Sequence, residues 1–224
     1  MKLYMHPVST TCRPVMQFIA DNNIAVEMQP VDILKGEQYG EGYSKINPNH
    51  LVPMLEDGDF RLTESATILR YLADKIGSPA YPKDPKQRAR VDEKLDWFNS
   101  NFYRDWGYNF VYPQTFPHLK YENAAAQAAV LAKGKDKSKA WLGVLNDYWL
   151  GGGKQYLCGD TVTIADYFGT GLTSIGELIH CDISAYPNVA RWLDTMKSRP
   201  SYAKVSEIFN GFVQSTKGQP FQVL

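Results

Sequence analysis

Hydrophobic and polar positions keep two rhythms along this chain. Through residue 78 short alternating runs interleave with helical spacing. From residue 88 onward only helical spacing recurs. Lys2-Leu3-Tyr4-Met5 reads as a first strand, and Arg13 to Asn22 as a helix, with Val15, Phe18 and Ile19 on one face and Pro14 in its first turn. Val26 to Val31 alternates as a strand, and Pro30 assigns it to a sheet edge or a strand end. Pro53 to Glu56 and Phe60 to Leu62 flank Asp57-Gly58, a hairpin turn signal. Thr63-Glu64-Ser65 opens a helix carrying Ile68, Leu69, Leu72 and Ile76, which Gly77 ends.

Residues 79–87, with Pro79, Pro82 and Pro85, read as a linker. Asp84-Pro85 then caps a helix bearing Val91, Leu95, Trp97, Phe98 and Phe102. A second long helix is expected over about 121–149, ended by Gly151-Gly152-Gly153. That run has no strand before it and no Lys-Ser/Thr pair after it, so it reads as a flexible loop and not as a phosphate loop. Thr163 with Asp166 forms a capping box ahead of a core helix. Two shorter helices, Pro187 to Met196 and Ser201 to Phe209, complete the chain. The order is β-α-β, a middle segment, β-β-α, then helices throughout 88–224.

The 224 residues carry 24 Lys plus Arg against 24 Asp plus Glu. A zero balance argues against a nucleic-acid or anionic-membrane binder, because such proteins need a cationic excess. No stretch approaches the ~20 apolar residues of a spanning helix, and the first residues do not read as a signal peptide. Three scattered cysteines, Cys12, Cys158 and Cys181, suggest no disulfide framework and make a reducing cytoplasm the simplest compartment. Four histidines form no metal-ligand spacing with them, so no metal is expected.

Three places could carry chemistry. Ser9-Thr10-Thr11-Cys12 lies between the first strand and the first helix, where free N–H groups favour an anion or a thiolate. The same residues also suit plain helix capping. Val52-Pro53 precedes the hairpin; a cis bond there would turn the Val52 backbone toward a peptide-like ligand, although proline at a strand start is ordinary. Glu64-Ser65 at a helix start suits a ligand's ammonium and carboxylate, or again simple capping.

Taken together, Arg13, Pro53, the Asp57-Gly58 hairpin and Glu64-Ser65 occur in the order and spacing seen in glutathione transferases. Leu51-Val52-Pro53-Met54-Leu55, and the run from Asp59 through Thr63-Glu64-Ser65 to Leu72, strongly resemble that family. Ser9 ahead of Cys12-Arg13, Lys35-Gly36-Glu37, Asn47-Pro48 and Arg88-Ala89-Arg90-Val91-Asp92 are similar to its serine-type theta and delta classes. The resemblance implies an α/β thioredoxin-like, glutathione-binding domain over 1–78 and an all-α domain over 88–224 that contributes the electrophile site. It implies that Ser9 hydrogen-bonds the glutathione sulfur and favours its thiolate. It further implies that Val52 and Pro53 clamp the cysteinyl part, that Glu64 and Ser65 hold the γ-glutamyl end, and that His50 and Gln38 approach the glycyl carboxylate. Ala66 departs from relatives with a polar or basic residue there. Arg13 is expected in structural or subunit contacts, and Cys12, without a second cysteine at position 9, is not expected to react.

The expected activity is conjugation of glutathione, the co-substrate, to a small apolar electrophile, in a cytoplasmic homodimer. A noncatalytic binding protein of the same fold and a glutathione-dependent thiol-disulfide reductase are the alternatives. At ordinary helical spacing the aromatic stretch from Phe102 to Tyr112 puts Phe102, Trp106 and Asn109 or Phe110 near one face and Tyr108 with Tyr112 near another, one face for the core and the other for the cleft. Trp106, Tyr108 and Tyr112 are the expected electrophile contacts, with Phe209, Phe212 and Phe221 closing over them.

Overall fold

The computed structural model describes all 224 residues. Four strands make one sheet: β1 (Lys2–Met5), β2 (Glu27–Pro30), β3 (Met54–Asp57) and β4 (Phe60–Leu62), in the order β2-β1-β3-β4. β1 runs parallel to β2 and antiparallel to β3. Pro30 sits on the edge strand, where its missing N–H costs no ladder bond. Leu3, Met5 and Leu55 pack with Val15, Phe18 and Ile19 of α1 (Cys12–Asp21) and with Ile68, Leu69 and Leu72 of α3 (Ser65–Lys75). A four-residue helix, α2 (Glu41–Ser44), lies in the crossing segment between β2 and β3. In the hairpin Asp57 pairs with Phe60, so the two loop residues are Gly58 and Asp59, one position later than the sequence signal. Gly58 takes φ +65°, which glycine adopts without a Cβ penalty.

From Pro85 the chain is helical. Asp84 accepts from the Lys86 and Gln87 amides and caps α4 (Pro85–Trp97). The rod does not end at Trp97. It continues through two π-helical stretches, Phe98–Phe102 and Arg104–Val111, into α5 (Tyr112–Thr115). These wider turns hold more residues than an α-turn. α6 (Ala124–Gly143) is capped by Asn123, later than expected, and widens in the same way over Val144–Trp149. Thr163 and Asp166 form the capping box of α7 (Ile164–Thr173), and the Asp166 carboxylate also accepts from Trp192 Nε1 at 2.9 Å. α8 (Pro187–Lys197) is followed by α9 (Pro200–Val205) and α10 (Glu207–Ser215), two helices where one was expected, separated at Ser206.

Both halves meet along α1. The Arg13 side chain, 2% exposed, crosses to the helical half. There it donates to Ser174 Oγ and the Gly171 carbonyl, both at 3.2 Å, and lies 3.7 Å over the Phe209 ring of α10. Asp21 at the other end of α1 accepts from Tyr167 at 2.8 Å, from Arg199 and from Ser201. Arg70 of α3 reaches Asp92 and Asp96 of α4, and Arg88 reaches Asp74.

Candidate active site

The turn between β1 and α1 organises the site. Ser9 Oγ accepts the Cys12 amide at 3.3 Å and lies 3.3 Å from Thr11 Oγ1. The single Thr11 proton goes to the Val52 carbonyl at 3.1 Å, so Ser9 is the donor in its contact with Thr11. Ser9 thus caps the helix with a lone pair and keeps its proton beside the turn, ready for redirection to a stronger acceptor. Cys12 points the other way. It is wholly buried, and burial pushes its thiol up to about 12, against the pull of Ser9, the His6 backbone and the Arg13 charge. A buried neutral thiol is no nucleophile.

Beside this turn lies a cleft of about 350 Å³ between the two halves. Its first wall carries Thr11, Val52, Pro53, Glu64 and Ser65. The Val52–Pro53 bond is cis. Glu64 holds φ +65°, a conformation that costs a non-glycine residue of order 1–3 kcal/mol and concentrates at functional sites. Ser65, buried, is the first residue of α3. The 47–51 loop is fixed from within: Asn47 donates to the Leu51 carbonyl at 2.8 Å and accepts the Asn49 amide at 3.0 Å. Asn47 and Asn49 line the cleft as well. In the sequence Asn47 stands out only as part of an Asn-Pro pair.

The opposite wall is Asn99, Tyr103, Arg104 and Tyr108 from the widened helix. Their separations of five, 99 to 104 and 103 to 108, follow the π-helical winding. Counting at 3.6 residues per turn misses Asn99 and Arg104 for that reason. Tyr108 is 50% exposed at the cleft.

Trp106 is not in the cleft. Its ring is fully buried in the helical core, with Nε1 on the Thr173 carbonyl at 3.2 Å and Gly176 so close that a Cβ would come within 2.3 Å of the ring. Phe102, Trp106 and Phe110, four residues apart, turn inward together. Tyr112 is also buried, but its hydroxyl has a different use. It meets Thr10 Oγ1 at 2.6 Å and the Tyr103 hydroxyl at 2.7 Å, so a three-hydroxyl chain ties the β1–α1 turn to the helical half. Burial raises the Tyr112 phenol to about 12 and keeps it protonated. Tyr108 packs edge-on against Tyr103 and Tyr112. Phe116 stacks on Phe212, Phe209 lies under Arg13, and Phe221 is half-buried.

Gln38 and His50 stand outside the cleft lining. Asp32 accepts the Leu34 and Lys35 amides, and Glu37 accepts the Asp32 amide, which shapes the loop that carries Gln38. The Gln38 side chain turns back to the Ile33 carbonyl, and its buried Oε1 has no partner. His50 Nδ1 meets the Gln38 carbonyl at 3.0 Å, so the two residues brace one another.

Comparison with known proteins matches residues 1–74 to the glutathione S-transferase N-terminal domain and residues 82–200 to the glutathione S-transferase C-terminal domain. Human glutathione S-transferase theta-1 is 35% identical over 202 residues, covering 86% of this chain and 80% of that protein. Mouse theta-3 is 33% identical over 200 residues, with the same two coverages. Human theta-2, solved in complex with glutathione and an unknown ligand, superposes with a TM-score of 0.83 at 27% identity, over 98% of this chain and 92% of that one. A delta-class enzyme from Nilaparvata lugens superposes at 0.78 and 29% identity, over 96% of this chain and 98% of that one.

Proposed function

This chain belongs to the glutathione S-transferase family, and from that premise we propose that its Ser9 hydroxyl activates glutathione for conjugation to an electrophile. One observation carries the reading: Ser9, itself outside the cleft lining, keeps a donatable proton 3.3 Å from Thr11, which lines the cleft with Val52, Glu64 and Ser65. Glutathione lies with its γ-glutamyl end at Glu64 and Ser65 and its cysteinyl backbone along Val52 and Pro53. Its sulfur then faces Ser9. Donation from Ser9 and the positive end of α1 both favour thiolate over thiol, and the released proton goes to solvent. The thiolate forms a C–S bond to the electrophile, whose leaving group departs with its electron pair.

Residues 1–78 supply the glutathione site and the helices of 88–224 supply the electrophile wall. Tyr103 and Tyr108 offer ring surface to a small apolar or aromatic electrophile, and Asn99 and Arg104 edge it with polar groups. Gln38 and His50 act by holding the loop at the glycyl end. A protein mixed disulfide is disfavoured, because Cys12 is sealed and protonated. No helix is long and apolar enough to cross a membrane. Three unpaired cysteines support a reducing, cytoplasmic setting. The family resemblance supports a homodimer, and light scattering at micromolar concentration should return twice the 25.3 kDa chain mass.

Ser9→Ala should lower turnover by roughly 10²–10³, the cost of one preorganised donor to an anion. It should also raise the pH at which bound glutathione gains thiolate ultraviolet absorbance. A wild-type absorbance profile in that variant would transfer the role to Thr11 or a backbone amide. Glu64→Ala should raise the glutathione dissociation constant by about tenfold with a smaller loss of kcat, because its contact is made equally in ground and transition states.

A further inference from the structure

A second pocket, of about 300 Å³, shares no residue with the cleft. Arg90 and Lys94 of α4, Tyr148 and Trp149 at the widened end of α6, and Lys154 and Leu157 of the loop after it form its lining. Its charges are unbalanced. Glu93 accepts from both Arg90, at 2.9 Å, and Lys94, at 3.2 Å. Lys154 has only the Tyr148 and Trp149 carbonyls, each at 3.3 Å. Arg191 of α8, outside the lining, steadies the loop by donating to the Lys154 carbonyl at 2.8 Å. Asp166, behind the pocket, is consumed by the Leu157 and Thr163 amides, the Thr163 hydroxyl and Trp192.

One of these cations is also held out of water, while Arg90 is 64% exposed. The Lys94 side chain is 5% exposed, with Nζ 4.0 Å over the Trp149 ring. The buried indole N–H of Trp149 has no acceptor. Lys94 already has Glu93, but an unpaired buried donor such as the Trp149 N–H is costly until an acceptor completes it. The pocket also offers an apolar face: Tyr148 is 63% exposed, its ring 4.6 Å from that of Trp149.

We propose that this pocket binds a small phosphate ester of a flat ring. The oxyanion sits among Arg90, Lys94 and Lys154, where charge-assisted bonds are strongest, and the ring lies on Tyr148. The site is independent of glutathione chemistry.

Calorimetric titration of the full-length protein with adenosine 5′-monophosphate, adenosine and inorganic phosphate tests this. The monophosphate should bind at least about tenfold more tightly than either fragment. Saturating glutathione should leave that binding unchanged. Lys154→Gln should weaken monophosphate binding about tenfold, and Tyr148→Ala should erase its advantage over inorganic phosphate, with melting midpoint and conjugation rate unaltered in both. The proposal is overturned by no binding to the wild type, by equal binding to Lys154→Gln, by equal affinity for monophosphate and phosphate, or by displacement with glutathione.

Discussion

Two aromatic residues only two positions apart, Trp106 and Tyr108, meet opposite surroundings and should answer mutation in opposite ways. Trp106 fills the helical core and satisfies its N–H on Thr173. Trp106→Ala leaves a ring-sized cavity, a change that costs about 3–5 kcal/mol, so the melting midpoint should fall steeply and every electrophile should lose rate alike. Tyr108 is half-exposed on the cleft wall. Tyr108→Ala should barely move the midpoint and should reorder kcat/KM across electrophiles of different bulk. A uniform loss in that variant would remove Tyr108 from the pocket. At this scale much of the candidate site is legible in the sequence, because Ser9, Val52, Pro53, Glu64 and Ser65 lie in compact local motifs. Tyr112 is not: its neighbour Thr10 is 102 positions away, and no local pattern encodes that hydroxyl contact.

Among the elements, the long rod from Pro85 to Thr115 is where sequence and structure part. Capping boxes, proline starts and glycine stops announce themselves in residue types, so α3, α4 and α7 begin close to where their signals lie. A π-helical winding has no such residue signature, so counting at 3.6 residues per turn misses Asn99 and Arg104 on the cleft wall, although it does group Phe102, Trp106 and Phe110 on the inward face. The rod is fastened by Asp105, which accepts from Trp141 of α6 at 2.8 Å, from Asn109 at 2.9 Å and from Arg104. Burial works against the carboxylate, but these three donors outweigh it and hold Asp105 below its ordinary value of 3.8. A carboxyl with a lowered folded value stabilises fully above that ordinary value and loses its contribution as pH falls through the lowered one. Asp105→Asn should therefore lower the melting midpoint at neutral pH. It should also show a smaller further drop than the parent when acidified below about pH 4. Equal acid sensitivity of the two proteins would remove Asp105 from the account.

Across the whole molecule, α1 is the shared member of both halves. Gly171 of α7 approaches it so closely that an added Cβ would lie 2.3 Å from the Pro14 ring and 3.0 Å from the Thr10 carbonyl. Gly171→Ala should destabilise by about 1–3 kcal/mol through overpacking, and glutathione affinity and turnover should fall with it because the displaced backbone is the Ser9 turn. Gly143→Ala, where a Cβ meets nothing within 4 Å inside α6, should instead stabilise by about 0.5–1 kcal/mol. Thermal melts of the two variants read the contrast directly, and a stabilised Gly171→Ala would mean the seam is looser than its distances. The Arg13 guanidinium extends the seam: it spans from α1 to α7 and α10, held by a hydroxyl, a carbonyl and a ring. Seen as heredity, that leaves little room for shuffling. A recombinant that exchanged the chain at the proline-rich 79–87 joint would inherit a serine turn from one parent and the floor beneath it from another. Such a recombinant should keep this chain's melting midpoint only where the second parent also carries Gly171, Ser174 and Phe209.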